Sequence, residues 1–208
     1  MNYEILIGFC MAAAALAVAP GPDNIFVLGQ SISNGVKSGL ATVAGLVSGC
    51  LVHTTLLAFG VSEIIKRSDT LFWGIKLFGA AYLLYLAVMV FKSDSTIALD
   101  KNSPTPKGLG KLFWKGFTMN VLNPKVTIFF LAFFPGFLFS TELHPVVQFY
   151  VLGFLFMLIA FIIFGIIAVL AGTISTYLTR NPRTGFYLKW VQILVFVGIA
   201  IYLIVSEK

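Results

Sequence analysis

Two short stretches of this sequence set ionisable and amide side chains beside prolines in otherwise apolar surroundings. The first, "APGPDN" at residues 19–24, carries Asp23 and Asn24 directly after Pro20, Gly21 and Pro22. The second, "NVLNPK" at residues 120–125, carries Asn120, Asn123 and Lys125 around Pro124. A carboxylate, an ammonium and three amides beside helix breaks can hold ionic groups of a ligand. His53 is a further candidate. It lies four and eight residues after Gly49 and Gly45, so all three share one helical face, and small residues at that spacing allow close helix approach. An imidazole titrates near neutrality and suits a proton relay; satisfaction by a neighbouring carbonyl is the commoner arrangement.

The prolines give these residues their interest. Proline removes a backbone donor and clashes with the preceding turn, and Gly21 adds freedom to bend. In hydrocarbon each freed backbone group costs several kcal/mol unless it is satisfied. A break is therefore tolerated where it is buried in protein or lines a wet cavity, and half-helix ends there can hold ionic groups. A charge near mid-membrane costs about 2.5–3.5 kcal/mol on insertion scales. One break alone reads equally as a packing kink. Two breaks at matching positions, each beside a charge, point to a site. Lys125 has a stem long enough to snorkel; Asp23 does not.

The elements that must position these residues follow from composition. Of 208 residues, 59% are hydrophobic and 11% charged, against about a quarter charged in soluble domains. A helix needs about twenty apolar residues to cross the bilayer core. Six segments qualify, at 5–28, 39–61, 70–91, 112–139, 146–172 and 187–205. The polar stretch 92–111 divides them three and three, so a single transmembrane unit over 1–208 comprises halves of about 1–91 and 112–208. The fold class is thus all-α integral membrane, with six transmembrane helices, and three spans per half implies a 3+3 inverted repeat with broken helices one and four. Inverted repeats of this kind recur in transporters.

Basic residues set the orientation. Nine fall after spans one, three and five: Lys37, Lys92, Lys101, Lys107, Lys111, Lys115, Arg180, Arg183 and Lys189. Three fall on the other side, Lys66, Arg67 and Lys208, with Lys76 near the start of span three as a further candidate. The positive-inside rule then puts loop 92–111 in the cytoplasm and both termini outside. This also accounts for the net charge of +6 without invoking nucleic acid. Met1 to Ala19 holds no Lys or Arg, so a cleaved signal peptide is not expected. Cys10 and Cys50 lie in apolar runs without ligand spacing, and no metal, cofactor or disulfide is expected. The chain contains no Walker loop, dinucleotide fingerprint or nucleophile elbow. The abundant phenylalanines, as in "IFFLAFFPGF", read as lipid-facing or packing residues.

"PGPDN", "GAAYLLYLA" (79–87) and "LNPKVTIFFLAFFPGF" (122–137) together resemble the LysE/RhtB family of bacterial amino-acid exporters, over essentially the whole chain. The family's first motif maps onto Pro20, Gly21, Pro22, Asp23 and Asn24, and its NPK motif onto Asn123, Pro124 and Lys125. Ala87 stands where a glycine often closes the span-three motif, and Gly136 where glutamine often follows the proline. The resemblance implies proton-powered efflux of amino acids or close derivatives across the inner (cytoplasmic) membrane, with no cofactor. On this reading Asp23 binds the substrate ammonium or the coupled proton, and Lys125, with Asn120, Asn123 and the adjacent half-helix end, holds the carboxylate. The scarcity of other charges in the spans favours a neutral side chain. The expected partners are the amino acid and membrane lipid, and the Gly45/Gly49 face leaves a homodimer open. Rival readings are export of another small solute or ion, an intramembrane enzyme using Asp23 and His53, and a non-transporting membrane anchor.

Overall fold

The computed structural model describes residues 2–19, 21–62, 69–93, 108–180 and 183–205. Pro20 lies outside the described residues, as do Lys66, Arg67, Lys101, Lys107, Lys208 and most of loop 92–111. No strand occurs among the described residues. The first span is two helices, α1 (Tyr3–Val18) and α2 (Pro22–Asn34), bent by 58°. Next come α3 (Val36–Leu56), extended by a π-helical turn (Leu57–Val61), and α4 (Asp69–Lys92). The fourth span is again two helices, α5 (Leu109–Val121) and α6 (Pro124–Phe133), the latter followed by a 3-10 turn (Phe134–Phe137). The α5 to α6 bend is 54°. After α7 (Pro145–Val169) the chain forms α8 (Ala171–Arg180) and α9 (Arg183–Val205). Four helices are long and apolar enough to cross a membrane alone, and the two bent pairs bring the total to six.

Several boundaries differ from the sequence expectation by a few residues, and two of them have a clear local cause. The first span runs on to Asn34 and is separated from α3 by Gly35 alone, whose φ of +83° an L side chain rarely adopts. The turn is that tight because glycine makes it. The fifth span ends at Val169 rather than 172, and α8 follows at once; its apolar start, Ala171 and Gly172, had merged with the span.

Packing relates the halves. α3 packs against α5, and α7 against α1, a pair of contacts that exchange of the halves interconverts. The α3–α7 and α4–α9 contacts each map onto themselves. The exchange is imperfect, because α4 also packs on α6 while α2 packs on α3, α7 and α8.

α3 and α5 approach each other closely. A Cβ on Gly45 would collide with the Phe113 carbonyl, and one on Gly49 would lie 2.7 Å from Asn120 Oδ1. The small-residue face of α3 is therefore occupied within the chain, and a homodimer would have to use another surface. Phe129, Phe130, Phe133, Phe134 and Phe137 are all buried, joined by ring contacts such as Phe130–Phe134 at 4.2 Å. These phenylalanines pack the core, whereas Phe78 and Phe154 face outward, as lipid contact requires. Trp73, Trp114 and Trp190 are exposed near helix ends, where interfacial aromatics belong.

Candidate functional site

Each break satisfies its own backbone with local amides. At the end of α1 the Ala19 N–H donates to the Ala15 carbonyl at 3.0 Å, and Asn24 Nδ2 donates back across the break to the Ala17 carbonyl at 2.9 Å. Asn24 thus replaces a backbone partner lost at the break. Pro22 opens α2 at its first position, where its missing N–H costs nothing. The second break repeats the device. Pro124 opens α6, and Asn123 caps it by accepting the Lys125 N–H at 3.0 Å.

The two breaks meet. Asn123 Nδ2 donates to Asp23 Oδ2 at 3.4 Å, a long bond between residues 100 positions apart. Asp23 sits in the first turn of α2, where the partial positive charge of the helix end favours a carboxylate. Lys125 sits in the first turn of α6, so its ammonium adds to a helix end that is already positive. An anion placed there would be attracted by both. Lys125 Nζ lies 4.8 Å from the centre of the Phe196 ring on α9 and 3.3 Å from where a Cβ on Gly21 would stand. Gly21 is the residue whose missing side chain leaves the ammonium room at the first break.

Asp23, Asn24, Asn120, Asn123 and Lys125 all line one cavity of about 50 Å³, with Gly21 and Pro22 in its wall. That is room for a few water molecules. The rest of the lining is apolar or weakly polar, chiefly Leu46, Cys50, Phe129, Phe156, Ala160 and Phe164. Two buried acceptor atoms on the lining residues have no hydrogen-bond partner, Asp23 Oδ1 and Asn120 Oδ1. Asp23 and Lys125 act on each other electrostatically, yet the hydrogen bond that the carboxylate does accept comes from Asn123. Opposite charges share a cavity without closing on each other.

His53 stands apart from this lining. Its Nε2 lies 3.1 Å from the Asn120 carbonyl. A carbonyl can only accept, so the ring donates. The imidazole anchors the end of α5 from behind, packed against Phe130 at 5.4 Å. Among the described residues no cluster of His, Cys, Asp or Glu could hold a metal ion.

The sequence reading missed Cys50, Phe129, Phe156, Phe164 and Phe196 as neighbours of the charges. Phe129 follows Lys125 by four residues on α6, so helical periodicity offered a signal for it. Nothing local marks Phe156, Phe164 or Phe196, which tertiary packing alone brings in.

A family model described as LysE type translocator matches residues 14–207. A homoserine/homoserine lactone efflux protein of Salmonella typhimurium is 28% identical over 183 residues, covering 88% of this chain and 87% of its own. A leucine efflux protein of Salmonella choleraesuis is 27% identical over 192 residues, covering 92% of this chain and 91% of its own. The uncharacterized membrane protein YrhP of Bacillus subtilis is 34% identical over 141 residues, covering 64% of this chain and 67% of its own. No solved structure matches the chain significantly.

Proposed function

The chain belongs to the LysE type translocator family, and on that premise we propose that it exports neutral amino acids from the bacterial cytoplasm in exchange for protons. It is a multi-pass membrane protein of the inner membrane, and its family and relatives are transporters, which points away from an enzyme. The observation that carries the reading is the cavity at the junction of the two breaks. It is lined by one carboxylate and one ammonium that are not hydrogen-bonded to each other. A zwitterion has the complementary pair of charges.

In this mechanism Asp23 takes the substrate ammonium and Lys125, reinforced by the N-terminal end of α6, takes the carboxylate. A proton and the ammonium compete for the same carboxylate. Each therefore displaces the other, and transport becomes an exchange. The chain has no nucleotide-binding motif, so a gradient must drive the cycle. A neutral side chain is supported by the lining, which beyond these two charges is amide, thiol and hydrocarbon. It is also supported by the names of the relatives, since leucine and homoserine both carry neutral side chains.

The test is export of labelled leucine and homoserine from cells with and without the protein, followed by counterflow in proteoliposomes. Export should stop when the proton gradient is dissipated at constant ATP. Full export under that condition would remove the antiport. Normal counterflow in Asp23→Asn would remove the site.

A further inference from the structure

Resting on the exporter reading, we propose that Asn120 supplies a second acceptor for the substrate ammonium, so that the site takes primary amines and discriminates against N-alkylated ones. Asp23 from the first broken span and Asn120 from the fourth both line the cavity, and each carries a buried Oδ1 with no hydrogen-bond partner. Asp23 is 8% exposed and Asn120 4%. A buried acceptor left unpaired costs about 1–3 kcal/mol, and a chain that leaves one on each of two residues lining the same cavity gains by receiving donors there. The ligand end that satisfies two acceptors at once is an ammonium bearing several N–H groups. A carboxylate offers no donor and would be repelled by both oxygens. This assigns Asn120 to the opposite end of the substrate from Lys125.

The surroundings hold Asn120 in that place. Its backbone carbonyl accepts from His53 Nε2 at 3.1 Å, and the same carbonyl lies 3.1 Å from the Asn123 N–H at the break. On α3, Gly49 leaves the space the amide fills, since a Cβ there would come within 2.8 Å of Asn120 Cβ as well as 2.7 Å of Oδ1. His53 and Gly49 are on this view positioning residues. They fix the acceptor without touching the substrate.

Asn123 is excluded from the same role by its own bonding. Its Oδ1 accepts the Lys125 N–H and its Nδ2 donates to Asp23, so the side chain is already engaged with both breaks. Asn24 Nδ2 is engaged at the Ala17 carbonyl, and its Oδ1 is not among the buried unpartnered acceptors. Of the three amides singled out beside the breaks, only Asn120 keeps an acceptor that is buried and unused.

The experiment compares leucine with N-methylleucine and N,N-dimethylleucine, as binding (ligand-induced stabilisation of the purified protein in detergent) and as counterflow in proteoliposomes. Successive methylation removes N–H donors while the charge stays. Wild type should bind the dimethyl compound at least about tenfold more weakly than leucine, since one charge-assisted hydrogen bond is lost. Asn120→Leu keeps the side chain's bulk and removes the acceptor, so the preference should collapse there. Gly49→Ala, which displaces the amide, should weaken it in the same direction. Equal binding of the three compounds by wild type overturns the proposal. So does a preference that survives in Asn120→Leu, because bulk alone then explains it. Binding of leucine with the expected preference but no counterflow would overturn the exporter reading and leave the ammonium site standing. No binding of any of the three overturns both.

Discussion

Lys125 directs its ammonium at the face of the Phe196 ring, 4.8 Å from the ring centre, while the Asp23 carboxylate accepts its hydrogen bond from Asn123. The cation is therefore parked on α9, away from the carboxylate with which it shares a cavity. A ring face at this distance attracts a cation by about 0.5–2 kcal/mol, more when water is excluded. Phe196 is 1% exposed, so the contact is dry. An arrangement of this kind keeps both charges available to a zwitterion, because neither must first be pulled from the other.

Phe196→Leu keeps the apolar volume and removes the ring. It should lower thermal stability in detergent by about 1 kcal/mol, whereas Phe196→Tyr should keep most of it. The effect should disappear in a Lys125→Met background. An equal loss in both backgrounds would mean that Phe196 acts only as packing.

Asp23 and Lys125 should be coupled in stability although no hydrogen bond joins them. Asp23→Asn and Lys125→Met each leave an uncompensated buried charge, a change that costs about 3–5 kcal/mol in closely paired cases. The double variant should lose less than the sum of the two, with no transport in proteoliposomes. Additive losses would show two independent charges and end the idea of mutual compensation across the cavity.

Gly45 and Gly74 should respond to alanine in opposite senses. A Cβ on Gly45 meets the Phe113 backbone, which cannot swing away as a side chain can, while one on Gly74 meets nothing within 4 Å. Gly45→Ala should cost about 1–3 kcal/mol by overpacking the α3–α5 contact. Gly74→Ala should gain about 0.5 kcal/mol by removing a mid-helix glycine. Thermal stability in detergent reads both, and a neutral Gly45→Ala would contradict the close approach.

Orientation is checked from outside the cell. In a variant lacking Cys10 and Cys50, a single cysteine at residue 2 should react with a membrane-impermeant thiol reagent, and one at Ser103 should not. The reverse pattern would invert the assignment made from the basic residues.

The sequence by itself determined the membrane character, the six spans and the two breaks, because each is a local property. Apolar length decides a span, and proline beside glycine or asparagine decides a break. It also identified Asp23 and Lys125, since a charge inside an apolar run is legible without a structure. Their relation was not legible. Residues 23 and 125 lie on different helices, and only packing could show that Asn123 bridges to the carboxylate while the ammonium turns to Phe196. The same holds for the amides. Asn24, Asn120 and Asn123 look equivalent beside their prolines, but an amide's role depends on which of its atoms are already bonded. Backbone groups at the breaks take Asn24 Nδ2 and Asn123 Oδ1, and the Nε2 of His53, a proton-carrier candidate in sequence, donates to the Asn120 carbonyl. What remains unsatisfied on the residues lining the cavity, Asp23 Oδ1 and Asn120 Oδ1, is the outcome of hydrogen-bond accounting over the whole fold, and no local pattern of residues encodes it.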